Sequence, residues 1–126
     1  MAEPRHIAEL RAVRSLLRAS TFAYRSEAEL QAGISQALTQ AGIEHRREVD
    51  LGPAGRVDLL TAGGLAIEAK IDGSPAAIAR QVIRYAQRDE VRALLVVTTR
   101  ATHQTAPAEM FLDKPGMVLF LLGSAL

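Results

Sequence analysis

Apolar side chains recur at helical spacing early in the chain and at strand spacing further on, and the change of period sets the order of elements. Ile7, Leu10, Val13 or Arg14, and Leu17 predict an amphipathic helix over about 4–19, whose other face carries Arg11, Arg14 and Arg18 and reads as solvated in preference to a contact with a phosphate backbone. After a short break at Thr21 to Arg25, Ser26 followed by Glu29 is a capping-box signature for a second helix. Leu30, Ile34 and Leu38 form its apolar stripe, and it stops near Gln40 at Gly42. Glu44 to Leu51 reads as a strand that ends in the turn Gly52-Pro53-Ala54-Gly55. RVDLLT and LAIEAK then flank Ala62-Gly63-Gly64, a connection of hairpin length. Ser74 as N-cap and Pro75 in the first turn open a helix to about Arg88. Val91 to Thr98 is too apolar for an edge strand and fits a buried one reached by a crossover helix. Thr99 to Asp113 is a polar connection with one helical turn near Ala106 to Phe111, in which His103 is expected at the surface. Gly116 to Leu122 is the last apolar strand. The pattern predicts an α/β domain with a mixed sheet flanked by helices, a core of about 26–98, an extra N-terminal helix and a C-terminal extension over 99–126.

Composition narrows this slightly. A chain of 126 residues is sized for one core. It has no cysteine, which excludes disulfides and thiolate metal sites and fits a reducing, cytoplasmic setting. No apolar run reaches the roughly 18 residues of a membrane span, and no signal-peptide pattern is present. The net charge of +1 conceals a bias: thirteen of the fifteen basic residues are arginine, and Lys70 is one of only two lysines. A compact ammonium suits a single oxygen or a water, whereas a guanidinium suits a bidentate phosphate.

The central hairpin is where the chemistry concentrates. A three-residue loop pairing Thr61 with Leu65 sets Asp58 opposite Glu68, with Cβ atoms about 5 Å apart. Lys70 shares their face, while Ile67, Ala69 and Ile71 fall on the other together with Val57 and Leu59. Facing carboxylates repel, and Lys70 compensates only one of them. A solvated strand face with alternating charges is the plain reading. A divalent cation is the chemical alternative, since Mg²⁺ takes one or two protein carboxylates and completes its shell with phosphate oxygens and water.

At Asp58 and Glu68-Ala69-Lys70 the sequence resembles the PD-(D/E)XK nuclease superfamily, the restriction-endonuclease-like fold. That family orders its core as α-β-β-β-α-β, with Asp late in the second strand and (Asp/Glu)-x-Lys on the third. Val57 stands where the family often has proline. The resemblance implies a Mg²⁺- or Mn²⁺-dependent nuclease in which Asp58, Glu68 and the Ala69 carbonyl hold the metal and Lys70 orients or helps activate the attacking water. In-line attack would leave a 5′-phosphate. It also implies an acid from the first core helix acting through water: Glu27 is the candidate, because it lies on the buried face, and Glu29 the fallback, because its position suits capping Ser26. Gln81 and Tyr85, spaced Gln-x-x-x-Tyr, resemble the RecB-type branch, where they border the site. A core aromatic with a polar neighbour explains them equally well.

Arg80, Arg84 and Arg88 at i, i+4, i+8, with Arg46, Arg47 and Arg56, are candidate contacts to a nucleic-acid backbone. The expected partner is nucleic acid, DNA before RNA, and a homodimer is compatible with small proteins of this fold. Expected settings are repair, recombination, replication or defence against phage and mobile elements. Among enzymes, a junction-resolving endonuclease, an exonuclease and a flap nuclease stay open. From another class, a non-cutting nucleic-acid-binding or scaffold module of the same fold is the rival.

Overall fold

The computed structural model describes residues 2–122 and the backbone of 124–125. In chain order the elements are α1 (Arg5–Arg18), β1 (Ala23–Tyr24), α2 (Glu27–Gln40), β2 (His45–Asp50), β3 (Arg56–Thr61), β4 (Leu65–Lys70), α3 (Pro75–Ala86), β5 (Ala93–Thr98), β6 (Gly116–Phe120) and β7 (Ser124–Ala125). Single 3₁₀ turns occupy Gly52–Ala54, Ala101–Thr105 and Ala108–Phe111. The chain is α/β, with a five-stranded mixed sheet in the order β2-β3-β4-β5-β6 flanked by helices. The β2–β3 and β3–β4 pairs are antiparallel, and β4–β5 and β5–β6 are parallel. Among the described residues no helix is long and apolar enough to cross a membrane.

Period-2 alternation sends side chains into two cores. Leu59, Leu65, Ile67, Leu95 and Val97 pack under α1 and α2 against Val13, Leu17, Leu30, Ile34 and Leu38. Leu60, Ala66, Leu94 and Val96 pack under α3 against Ile78, Val82 and Tyr85. All six residues of β5 are buried, as an interior strand of a sheet covered on both faces requires. Each large aliphatic side chain buried here contributes about 1.5–3 kcal/mol.

Local chemistry fixes the helix starts. The Ser74 hydroxyl accepts from the Ala77 amide at 3.1 Å, with Pro75 in the first turn. The Ser26 hydroxyl accepts from Glu29 N–H at 3.1 Å, but the Glu29 carboxylate reaches back to Arg25 N–H at 2.6 Å instead of closing a capping box on Ser26. The reciprocal bond therefore lands one residue earlier than the sequence signature predicts.

Two further expectations are corrected. His103 is fully buried. Its imidazole joins Thr98 Oγ1, at the end of β5, to the Gly73 carbonyl, in the loop between β4 and α3. A polar neighbourhood in sequence conceals that tertiary role. Val57 and Leu59 do not share a face: Val57 packs under α3 and Leu59 under α2. The neighbouring strand is irregular at the same step. Glu48, between the paired residues Arg47↔Leu59 and Val49↔Val57, has φ 52°, a left-handed conformation uncommon for a residue other than glycine. The alternation breaks there without a slip of register.

Candidate metal and nucleic-acid site

The β3–β4 hairpin turns as its glycines require. Gly64 has φ 98° and donates to the Thr61 carbonyl at 3.0 Å. The ladder pairs Leu60 with Ala66 and Leu59 with Ile67, so the same register carried one step on brings Asp58 opposite Glu68. At that step the backbone ladder gives way to side chains. Asp58 N–H donates to Glu68 Oε1 at 3.1 Å, and Ala69 N–H donates to Asp58 Oδ2 at 2.8 Å. Each carboxylate thus replaces a backbone carbonyl as acceptor for the opposite strand, and the strands part around the pair. An extended residue presents its N–H and C=O to the same edge, so the Ala69 carbonyl faces the same gap.

Burial makes this arrangement costly for two charges. Glu68 is 6% exposed, and burial, followed by repulsion from Asp58, pushes its carboxyl up to about 8. Burial raises the Asp58 carboxyl as well, while the Ala69 amide, the Gln31 side chain and Lys70 pull it back. The Lys70 ammonium lies 3.5 Å from Glu68 Oε2. Two carboxylates held together with raised pKa values, one ammonium beside them, are a poised acid–base pair of the sort found at functional sites.

These donors suit a hard divalent cation. They offer carboxylate and carbonyl oxygens, and neutralising the repulsion would reward binding. Among the described residues no three His, Cys, Asp or Glu side chains converge on one point. Two carboxylates and a carbonyl would leave room for the water and phosphate oxygens that Mg²⁺ prefers to keep.

The other sequence candidates fall in several places. Tyr85 is 2% exposed; its hydroxyl donates to the Arg56 carbonyl at 2.7 Å and accepts from Gln81 Nε2 at 2.8 Å. Burial and the nearby Glu68 charge raise its pKa. Tyr85 is therefore a core aromatic that lies close enough to Glu68 to feel its charge. Glu27 directs Oε2 to the amides of Ile71 at 3.0 Å and Asp72 at 3.3 Å, immediately past Lys70. These bonds tether the end of β4 to α2 and involve neither Asp58 nor Glu68.

The arginines do not form one surface. Arg80 and Arg84 are exposed on α3, and Arg56 is exposed at the start of β3. Arg88 is paired with Glu90 at 2.9 Å. Arg46 lines a shallow hollow with Gly63, Gly64 and Arg92, away from the pair. Arg47 bends to α2, where Nε and Nη2 donate to Gln31 Oε1 at 3.2 and 2.8 Å.

Gln31 and Glu48 are the residues that sequence reasoning missed. A signal for Gln31 existed: it precedes Ile34 and Leu38 by three and seven positions, which places it on the buried stripe. Nothing local marks Glu48. No family model matches the chain, and no curated protein or solved structure matches it.

Proposed function

We propose that the chain is a metal-dependent nuclease of the PD-(D/E)XK type that hydrolyses phosphodiester bonds, with DNA the expected substrate. The observation that carries this reading is the opened step of the β3–β4 ladder, where Asp58 and Glu68 replace backbone acceptors and Lys70 stands beside them. The order α2, β2, β3, β4, α3, β5 supports it, being the order expected of that superfamily. Asp58, Glu68 and the Ala69 carbonyl would hold Mg²⁺ or Mn²⁺. Such an ion, when bound, supplies Lewis acidity toward a phosphate oxygen and neutralises developing charge.

The protein's own groups do the rest. Lys70 balances the pair's charge and presents three donors that can orient a water toward phosphorus. Glu27 fixes the backbone directly after Lys70 and so sets where the ammonium stands. The Gln81–Tyr85–Arg56 chain of hydrogen bonds fixes the start of β3, two residues before Asp58. Arg80 and Arg84 are free to meet backbone phosphates, contacts that set affinity without reading sequence.

The test is cleavage, with and without Mg²⁺, of labelled single-stranded, duplex, flap and four-way-junction DNA and of matching RNA. Metal-dependent cutting is expected, and Lys70→Arg should slow it at least ~100-fold, since a planar guanidinium cannot replace a point ammonium beside a water. Binding without cutting on every substrate would favour the non-catalytic module. An arginine variant that cuts at the wild-type rate would return Lys70 to a solvated strand face.

A further inference from the structure

β4 and β5 run side by side to a common end, where Lys70 pairs with Thr98. Past that rung Thr99 N–H still reaches the Lys70 carbonyl, at a long 3.3 Å, and then the chains part. β4 turns through 71–74 into α3, while β5 leads into the 3₁₀ turn Ala101–Thr105. His103 lies in that turn and spans the opening: Nδ1 is bonded to Thr98 Oγ1 and Nε2 to the Gly73 carbonyl at 2.7 Å. A carbonyl only accepts, so Nε2 carries the hydrogen, and Nδ1 can accept from the Thr98 hydroxyl. The hydroxyl oxygen accepts in turn from Arg100 N–H at 3.0 Å. One neutral imidazole thus satisfies the whole group. Thr98 and His103 are both fully buried, where an unpaired polar group is costly, so the ring is held in this orientation. Glu27 grips the same loop from α2, through Ile71 N–H and Asp72 N–H. The ion pair of Arg100 with Asp72 also crosses the opening, but its partners are exposed and such a pair restrains little.

We propose that His103 is a positioning residue for Lys70: by joining the residue across the ladder from Lys70 to the loop that follows it, the imidazole keeps the end of β4 against β5 and holds the ammonium where it faces Glu68 and the attacking water. This rests on the function proposed above. The role concerns the ammonium and not the metal. Asp58 and Glu68 are braced by each other's strands, through Asp58 N–H and Ala69 N–H, and those bonds do not pass through the end of β4. A leucine at 103 would fill much of the space and leave the Gly73 carbonyl and the Thr98 hydroxyl without their partner. A glutamine would keep a donor for Gly73. Misplacing a reacting group by about 1 Å through a distant change can slow a reaction by up to ~100-fold, which sets the size of effect to look for.

The experiment compares His103→Leu, His103→Gln and Thr98→Val with wild type in kcat and KM, below each variant's melting temperature, and in Mn²⁺ affinity read from the electron paramagnetic resonance of free Mn²⁺. His103→Leu should lower kcat about 10- to 100-fold with KM and Mn²⁺ affinity unchanged, and His103→Gln should restore most of the loss. Thr98→Val removes one of the two partners with little change of shape, should show the same split to a smaller degree, and carries the test if the leucine variant does not fold. In a Lys70→Ala background, whose residual cutting is followed over longer times, His103→Leu should cost nothing further. A repeat of the full loss in that background would show that His103 acts on the fold at large and would overturn the proposal. Wild-type kcat in His103→Leu, or Mn²⁺ affinity falling in step with kcat, would overturn it too while leaving the nuclease reading in place. A wild-type protein that cuts nothing would sink the nuclease reading itself, and the role of His103 with it.

Discussion

The two ends of the β3–β4 hairpin share one register and are built for different work. Near the turn, Leu59 faces Ile67 and Leu60 faces Ala66, all buried, and the Thr61 hydroxyl accepts from Leu65 N–H at 2.9 Å. The four facing side chains there all feed a core. One step further, the backbone bonds are replaced by carboxylates, burial drives both acids toward the neutral form, and an ammonium waits at 3.5 Å. The contrast shows how a strand pair can carry a strained polar step: the apolar end supplies the register that makes the polar end inevitable.

The largest effect should fall on activity at the polar end. Asp58→Asn keeps an acceptor for Ala69 N–H but removes the charge, so cleavage should drop by ~1000-fold or more, comparable to losing a main electrostatic group, while the melting temperature holds. A variant that cuts normally would break the comparison outright. At the apolar end the reverse is expected. Ile67→Ala should cost about 2–5 kcal/mol in urea unfolding, with the cleavage rate kept at temperatures where the variant is folded.

A third measurement sharpens the electrostatics. The folded-state pKa of Glu68 lies above its unfolded value of 4.5, at about 8, so between those values the native state binds more protons than the unfolded one. Stability of the metal-free protein should therefore fall as pH rises through this window, by as much as a few kcal/mol. Glu68→Gln should flatten the decline and be the more stable form at the top of the window. Urea midpoints across it check this, and parallel curves for the two proteins would remove the raised pKa from the account. Added Mg²⁺ should stabilise wild type most at the high-pH end, because binding requires the ionised acid. The smallest effect belongs to the helix cap: Glu29→Ala should cost about 1 kcal/mol with activity unchanged, since its carboxylate serves Arg25 N–H alone.

Much of this was legible in the sequence where a rule acts locally. A three-residue turn fixes every pairing down the hairpin, so Asp58 and Glu68 could be set face to face from spacing alone. Ser74-Pro75 announced α3, and the unbroken apolar run of β5 announced burial on both faces. What escaped depends on distant contacts. The switch of face between Val57 and Leu59 coincides with the left-handed backbone of Glu48 on another strand. His103 is buried because Thr98 and Gly73 converge on it. The pairing of β1 with β7 joins two-residue strands, too short for any periodic signal. Glu27 was expected at the metal through water, and the bonds it makes are to Ile71 and Asp72, a tether that no helical pattern encodes.

That short β1–β7 pair has a kinetic consequence. Ala23 and Tyr24 meet Ser124 and Ala125 across nearly the whole length of the chain, whereas the β2–β3–β4 meander joins near neighbours. Closing so long a loop for two rungs of ladder returns little against its entropy, so this clasp should form after the meander and reopen before it. It sits just ahead of Ser26, where α2 begins. Each reopening would loosen the end of the helix that carries Glu27, and with it the backbone next to Lys70, making the clasp a slow governor on how firmly the acid pair and its ammonium stay assembled.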